Sequence, residues 1–134
     1  MIATDDAVVA LAEEPAWDFL RTQRLGRLAY HLLGEVHVVP VNFAVRGRQI
    51  VFRTAPGSKL LGVVMHDDVA FEVDEVDQTR ATSVVVRGSA RLLADREADA
   101  ARELPIQSWV ATDKDEVVAI EVTQISGRTF RLVR

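Results

Sequence analysis

The 134-residue sequence contains no cysteine. Disulfides, thiolate metal sites and cysteine nucleophiles are therefore excluded. The chain suits a reducing cytosol, so a cytoplasmic location is the expectation. Long apolar runs are also missing. No window approaches about eighteen uninterrupted apolar residues, so no segment is expected to span a membrane. The N-terminus carries Asp5, Asp6, Glu13 and Glu14 with no basic region ahead of an apolar run, which is not the pattern of a signal peptide. Basic residues are in the minority, 16 against 20 acidic, for a formal net charge of −4. A general nucleic-acid coat is thus not expected, although a local basic pocket for a small phosphate is compatible with that balance. Histidine is scarce. His31 and His37 are equidistant from Gly34 and read as cross-strand neighbours in a hairpin, but zinc would want a further ligand and no metal is expected. No serine stands in a G-x-S-x-G elbow, so no nucleophilic triad can be argued. There is no repeat, low-complexity tract or linker, which leaves one domain over residues 1–134.

What the chain does have is a 49% hydrophobic composition, enough for a sizeable core. Residues 1–22 read as a helical segment: the apolar run Ala7–Ala12 predicts one short helix, and Pro15 suits the first turn of another. From Leu25 the texture becomes β. Leu25–Leu33 and Val36–Val45 read as paired strands with Gly34-Glu35 at the turn, and Pro40 demotes the second to an edge or a bulge. Gln49–Thr54 follows, with Ile50 and Phe52 facing the core. Lys59–Met65 predicts a short helix, and Val69–Val76 and Ser83–Leu93 two more strands, with a bulge or bend at Gly88. Asp95–Leu104 predicts an amphipathic helix, then Glu116–Val122 and Arg128–Val133 two strands joined through Gly127. Six or seven strands linked by tight turns imply antiparallel pairing, and a barrel is the expected closure because it removes exposed edges.

The densest set of potential ligand groups is Arg53-Thr54-Ala55-Pro56-Gly57-Ser58-Lys59. Arg53 offers a planar fork, Lys59 a point charge, Thr54 and Ser58 hydroxyls, and Gly57 a close approach for backbone N–H groups. A helix beginning at Ser58 would add oriented donors. The set suits a phosphate. It equally suits an ordinary turn with a capping serine and two solvated cations. Pro40-Val41-Asn42 is the second candidate: a flat heteroaromatic ring could lie on this strand, with the Asn42 amide reading its polar edge. The alternative is an edge strand with Asn42 in water. Glu72 and Asp74 share a strand face, and with Glu75 and Asp77 they read as a solvated acidic strand end rather than as an acid–base pair.

Taken in order, several segments resemble one family. They are Leu25-Gly26-Arg27-Leu28-Ala29, Pro40-Val41-Asn42-Phe43, Phe52 to Leu60, Val69 to Asp74 and Ser83 to Gly88, with Trp109 and Ser126-Gly127-Arg128 also fitting. The chain resembles the short bacterial branch of the pyridoxamine 5′-phosphate oxidase-like split-barrel flavoproteins. The resemblance implies a mainly β, six-stranded antiparallel split barrel with a few short peripheral helices. It also implies a homodimer with the cofactor, FMN, at the interface. Arg53, Thr54, Ser58 and Lys59 would hold the FMN phosphate and ribityl chain, flanked by Phe52 and Leu60. Pro40, Val41 and Asn42 would line the isoalloxazine, with Ser83, Arg87 and a partner's Trp109 as further contacts. Two departures stand out. Ala81-Thr82 occupies the place where this branch commonly has Gly-Trp, and Arg131-Leu132 is followed only by Val133-Arg134 where the vitamin-synthesis enzymes carry a substrate-binding extension. Pyridoxamine phosphate is therefore not the expected substrate. The expected function is a flavin-dependent oxidoreductase acting on an unknown small molecule. A deazaflavin-dependent reductase and a non-catalytic flavin- or haem-binding module are the alternatives.

Overall fold

The computed structural model describes residues 8–55, 59–64, 68–106 and 116–133. The first element corrects the sequence expectation: Val8–Leu11 is a strand, β1, not a helix. It lies antiparallel along a very long strand at the other end of the fold, with Val8 opposite Phe130 and Leu11 opposite Gly127. A short apolar run carries no period that separates helix from strand, and here the available partner decides. Helix α1 then spans Glu13–Arg21, with Glu13 and Glu14 in its first turn and Arg21 in its last, signs that suit the helix dipole. Ala16, Trp17 and Leu20 form its buried stripe.

Strands β2 (Leu25–Leu32) and β3 (Glu35–Asn42) form the first hairpin. Its loop is Leu33-Gly34, both with positive φ (52° and 80°), the backbone demanded by a two-residue hairpin turn. That places the turn one residue earlier than expected. Tyr30 therefore faces His37, and His31 faces Val36. The Tyr30 and His37 rings stack at 5.4 Å.

The remaining elements are β4 (Ala44–Arg46), β5 (Gln49–Thr54), α2 (Lys59–Val64), β6 (Asp68–Val76), β7 (Arg80–Leu92), α3 (Asp95–Arg102) and β8 (Glu116–Arg131). All described strand pairings are antiparallel, in the order β3-β2-β6-β7-β8-β5-β4 with β1 added on β8. The two ends of this path, β3 and β4, are consecutive in the chain and separated only by Phe43. The sheet therefore curls round until its ends meet at one residue. The fold is mainly β and matches the expected split barrel. Among the described residues it has eight strands rather than six, because the expected Val36–Val45 strand breaks at Phe43 and β1 is an addition. The two expected C-terminal strands are instead one strand, β8. Gly127 lies inside it, where a Cβ would sit 3.1 Å from both Leu11 and Val84 side chains. It is a site of close packing, not a turn.

The barrel interior holds Leu28, Phe43, Ile50, Phe52, Phe71, Val73, Val84, Val86, Val118 and Ile120. A smaller cluster outside the sheet, Val51, Leu93, Ala98, Ala101, Val117 and Ala119, seats α3. Arg46 and Arg91 both pair with Glu97 of that helix. The expected irregularity at Gly88 is present as a register shift between Arg87 and Gly88 against β8. A Cβ on Gly88 would come within 2.0 Å of the Glu121 carbonyl oxygen, which is backbone and cannot move cheaply. Gly88→Ala is expected to lower the denaturant midpoint by the equivalent of about 3 kcal/mol, the upper end of overpacking costs. Gly62→Ala, exposed in α2 with open space around it, should instead be neutral or stabilise by up to about 1 kcal/mol.

Candidate functional site

Alternation along β5 separates its residues. Ile50 and Phe52 point into the barrel, and Val51 points out beneath α3. Phe52 is 1% exposed, so its side chain is a core residue and presents no wall to a ligand. Thr54 is the one buried polar side chain among the described residues, at 7%. Arg53 takes the outward parity of Val51, pairs in the ladder with Val117 and is half-buried. Leu60, on α2, is also half-buried and packs against the barrel core. Ser58 and Trp109 lie outside the described residues, as does the side chain of Lys59.

The end of β3 comes to the same place. Ala44 pairs with Val51, so two residues further back Asn42 is level with Arg53, and β3 and β5 approach each other there. Asn42 Nδ2 donates to the Arg24 carbonyl at 3.2 Å, and the Phe43 N–H donates to the same oxygen at 3.0 Å. These two bonds hold the chain at the point where the sheet splits. Pro40 and Asn42 lie on the outer face. Val41 takes the opposite parity, half-buried against the core, so among the three it offers a ligand only its backbone. The structure thus brings Pro40, Asn42 and Arg53 to one outer face at the split, whereas Thr54 takes the inward parity of Ile50 and Phe52. The three supply a cation beside an amide and a flat proline surface, groups able to meet an anion joined to a planar polar ring.

Ser83 and Arg87 share the outer face but stand apart. The register rows run Pro40–Arg27–Glu72–Val85 and Val38–Ala29–Ala70–Arg87 across β3, β2, β6 and β7, with Ser83 opposite Asp74. Three strand spacings separate β3 from β7, about 14 Å along the sheet. Arg87 lines a groove of about 480 Å³ with Ala29, His31, Asp68, Ala70 and Gln124. A second cleft of about 530 Å³, lined by Arg21, Arg24, Phe43, Ala44 and Pro105, opens beside the split. Both are in the size range of small-molecule sites.

Between the two sets lies a cluster the sequence reading passed over. One guanidinium nitrogen of Arg27 pairs with both Glu72 and Asp74, and the Ser83 hydroxyl donates to Glu72 Oε2 at 3.5 Å. Burial pushes the Glu72 carboxyl above its usual range, outweighing Arg27. Its hydrogen bond with Glu72, aided by Arg27, holds Asp74 below its own usual value. The signal was available: Glu72 and Asp74 share a face, and hairpin pairing puts Ser83 on it. Among the described residues no group of three or more His, Asp or Glu could hold a metal ion, and no helix is long and apolar enough to cross a membrane.

Similar proteins carry the same frame. An FAD-binding protein of Mycobacterium smegmatis superimposes with a TM-score of 0.81 at 34% identity, covering 92% of this chain and 98% of its own. An FAD-binding protein of Mesorhizobium loti gives 0.78 at 28% identity, covering 92% and 96%. An uncharacterized protein of Mycobacterium tuberculosis is 32% identical over 127 residues, 90% of this chain and 84% of its own. Residues 12–129 match the family described as pyridoxamine 5′-phosphate oxidase, and with the split barrel and its ordered motifs in place, this chain belongs to that family.

Proposed function

We propose that this protein is a flavoprotein and an oxidoreductase, with the flavin phosphate held at Arg53, Thr54, Ser58 and Lys59 and the ring against Pro40, Val41 and Asn42. The observation that carries this reading is the approach of Arg53, on the outer face of β5, to Pro40 and Asn42 on the outer face of β3 at the split of the sheet. The sequence resemblance suggests FMN, whereas both solved relatives above are FAD-binding proteins. FAD is the form favoured here, because those two relatives cover almost the whole chain. A bound flavin supplies the two-electron chemistry. The protein's own part is to hold the phosphate, orient the ring and set the polarity around it. Ser83 and Arg87 are about 14 Å or more from Asn42 along the sheet. Their role in the same site therefore calls for a second copy of the chain, which supports a homodimer.

Titration with FAD, FMN and a deazaflavin tests the reading. Stoichiometric FAD binding is expected, with a rise in Tm equivalent to about 2.7 kcal/mol at a hundredfold excess over Kd. Preference for FMN or the deazaflavin would replace FAD as the cofactor. Failure to bind any of the three would overturn the flavin reading.

A further inference from the structure

We propose that Glu72 is a positioning residue: pinned by Arg27, it accepts the hydrogen bond donated by the Ser83 hydroxyl and so turns the Ser83 lone pairs outward as a hydrogen-bond acceptor for the ligand. The inference rests on the flavin reading and adds to it a polarity rule for one edge of the ring.

A serine hydroxyl has one proton to give and two lone pairs. The neighbours of Ser83 decide how these are used. On the β6 side stand only carboxylates, Asp74 directly opposite and Glu72 within 3.5 Å. On the β8 side the residue opposite is Arg128, a pure donor. The proton therefore goes toward β6, and the oxygen's free lone pairs face away from it. Arg27 fixes this arrangement by holding both carboxylates with one nitrogen. Arg27 itself is held in the middle of the sheet, between Pro40 on β3 and Glu72 on β6. A ligand edge presenting an N–H, such as the imide of an isoalloxazine, is then preferred at Ser83 over an edge presenting only acceptors.

The device titrates. The charged groups facing Glu72 are Arg27 from β2, Asp74 on its own strand and, from β7 and β8, Arg87 and Arg128 flanking its neighbours Val85 and Ser83. Burial, aided by the hydrogen bond with Asp74, raises the Glu72 pKa above the usual carboxylate value, so a fall in pH protonates it earlier than an ordinary glutamate. The carboxyl then becomes a donor and no longer claims the Ser83 proton. Ligand affinity should be highest above that pKa and fall as pH drops through it.

FAD is the probe, because its phosphodiester groups keep a constant charge over this range. Affinity is measured from pH 8 to pH 5 by flavin fluorescence, with circular dichroism confirming the fold. The wild type is expected to lose about two- to tenfold in affinity, the worth of one hydrogen bond. Glu72→Gln and Ser83→Ala should each flatten the profile, and combining them should add nothing. Wild-type binding with a profile that both variants leave unchanged overturns the role of Glu72. Absence of wild-type binding at every pH instead removes the flavin reading itself.

Discussion

Arg53→Ala combined with Lys59→Ala is expected to lower flavin affinity by about a hundred- to ten-thousandfold, with the unliganded protein keeping its fold. Each substitution removes one charge-assisted contact, worth about 1.5–3 kcal/mol, or roughly ten- to a hundredfold. Arg53 is half-buried on the outer face of β5, opposite Val117 of the cluster that seats α3, so its loss leaves the barrel interior untouched. The barrel interior beneath it is made by Ile50 and Phe52, which point the other way. If the two cations share one phosphate, the losses of the two single variants should sum to less than the loss of the double variant, because in each the surviving cation can move toward the phosphate. Fluorescence titration of the three variants against FAD, with Tm of each apoprotein as the control, reads all of this. Unchanged affinity in the double variant would show that the phosphate sits elsewhere.

The second large effect separates two roles for one residue. Phe52 lies in the segment that resembles a cofactor motif, yet its side chain is 1% exposed within the barrel core. Phe52→Ala is therefore expected to destabilise the unliganded protein by about 3–5 kcal/mol, a large part of a domain's usual 5–15 kcal/mol. Phe52→Leu should cost much less and retain flavin binding once folded. Denaturant unfolding of the apoproteins decides the matter. A phenylalanine serving a ligand would leave apoprotein stability nearly unchanged and reduce affinity instead.

Why some of the molecule was legible in its sequence and some was not follows from the same contrast. Strands β2, β5, β6 and β7 announced themselves by period-two alternation. Gly88 was read as a bulge, and it is one. Helices α1 and α3 were legible from Pro15, the acidic first turns and the small apolar stripe. The failures occur where a partner, not a local preference, decides. Val8–Leu11, within the expected helix, is a strand because β8 offers it an edge. Gly127 suggested a turn, yet it is small because Leu11 and Val84 crowd it. At the site, Pro40, Asn42 and Arg53 were named from sequence and share the outer face at the split of the sheet, while Thr54 takes the inward parity of β5. Arg27 and Glu72 were missed as a unit because their link depends on the cross-strand register of two hairpins. Phe52 was given a ligand role by its motif, although its own alternation already pointed it inward.

The position of β8 has a kinetic consequence. The β2–β3, β4–β5 and β6–β7 pairings close over short turns and can form early and independently. Strand β8 must find β7, β5 and β1 together, setting Glu121 beside Gln49 and Phe130 beside Val8. Such distant partners bear the loop-closure entropy before any contact rewards it. The half-built intermediate would leave the edges of β5 and β7 bare, each able to accept a strand from another molecule. Pairing of β8 with β7, β5 and β1 is thus the long-range step that closes the sheet, and it covers the β5 and β7 edges that would otherwise stand open.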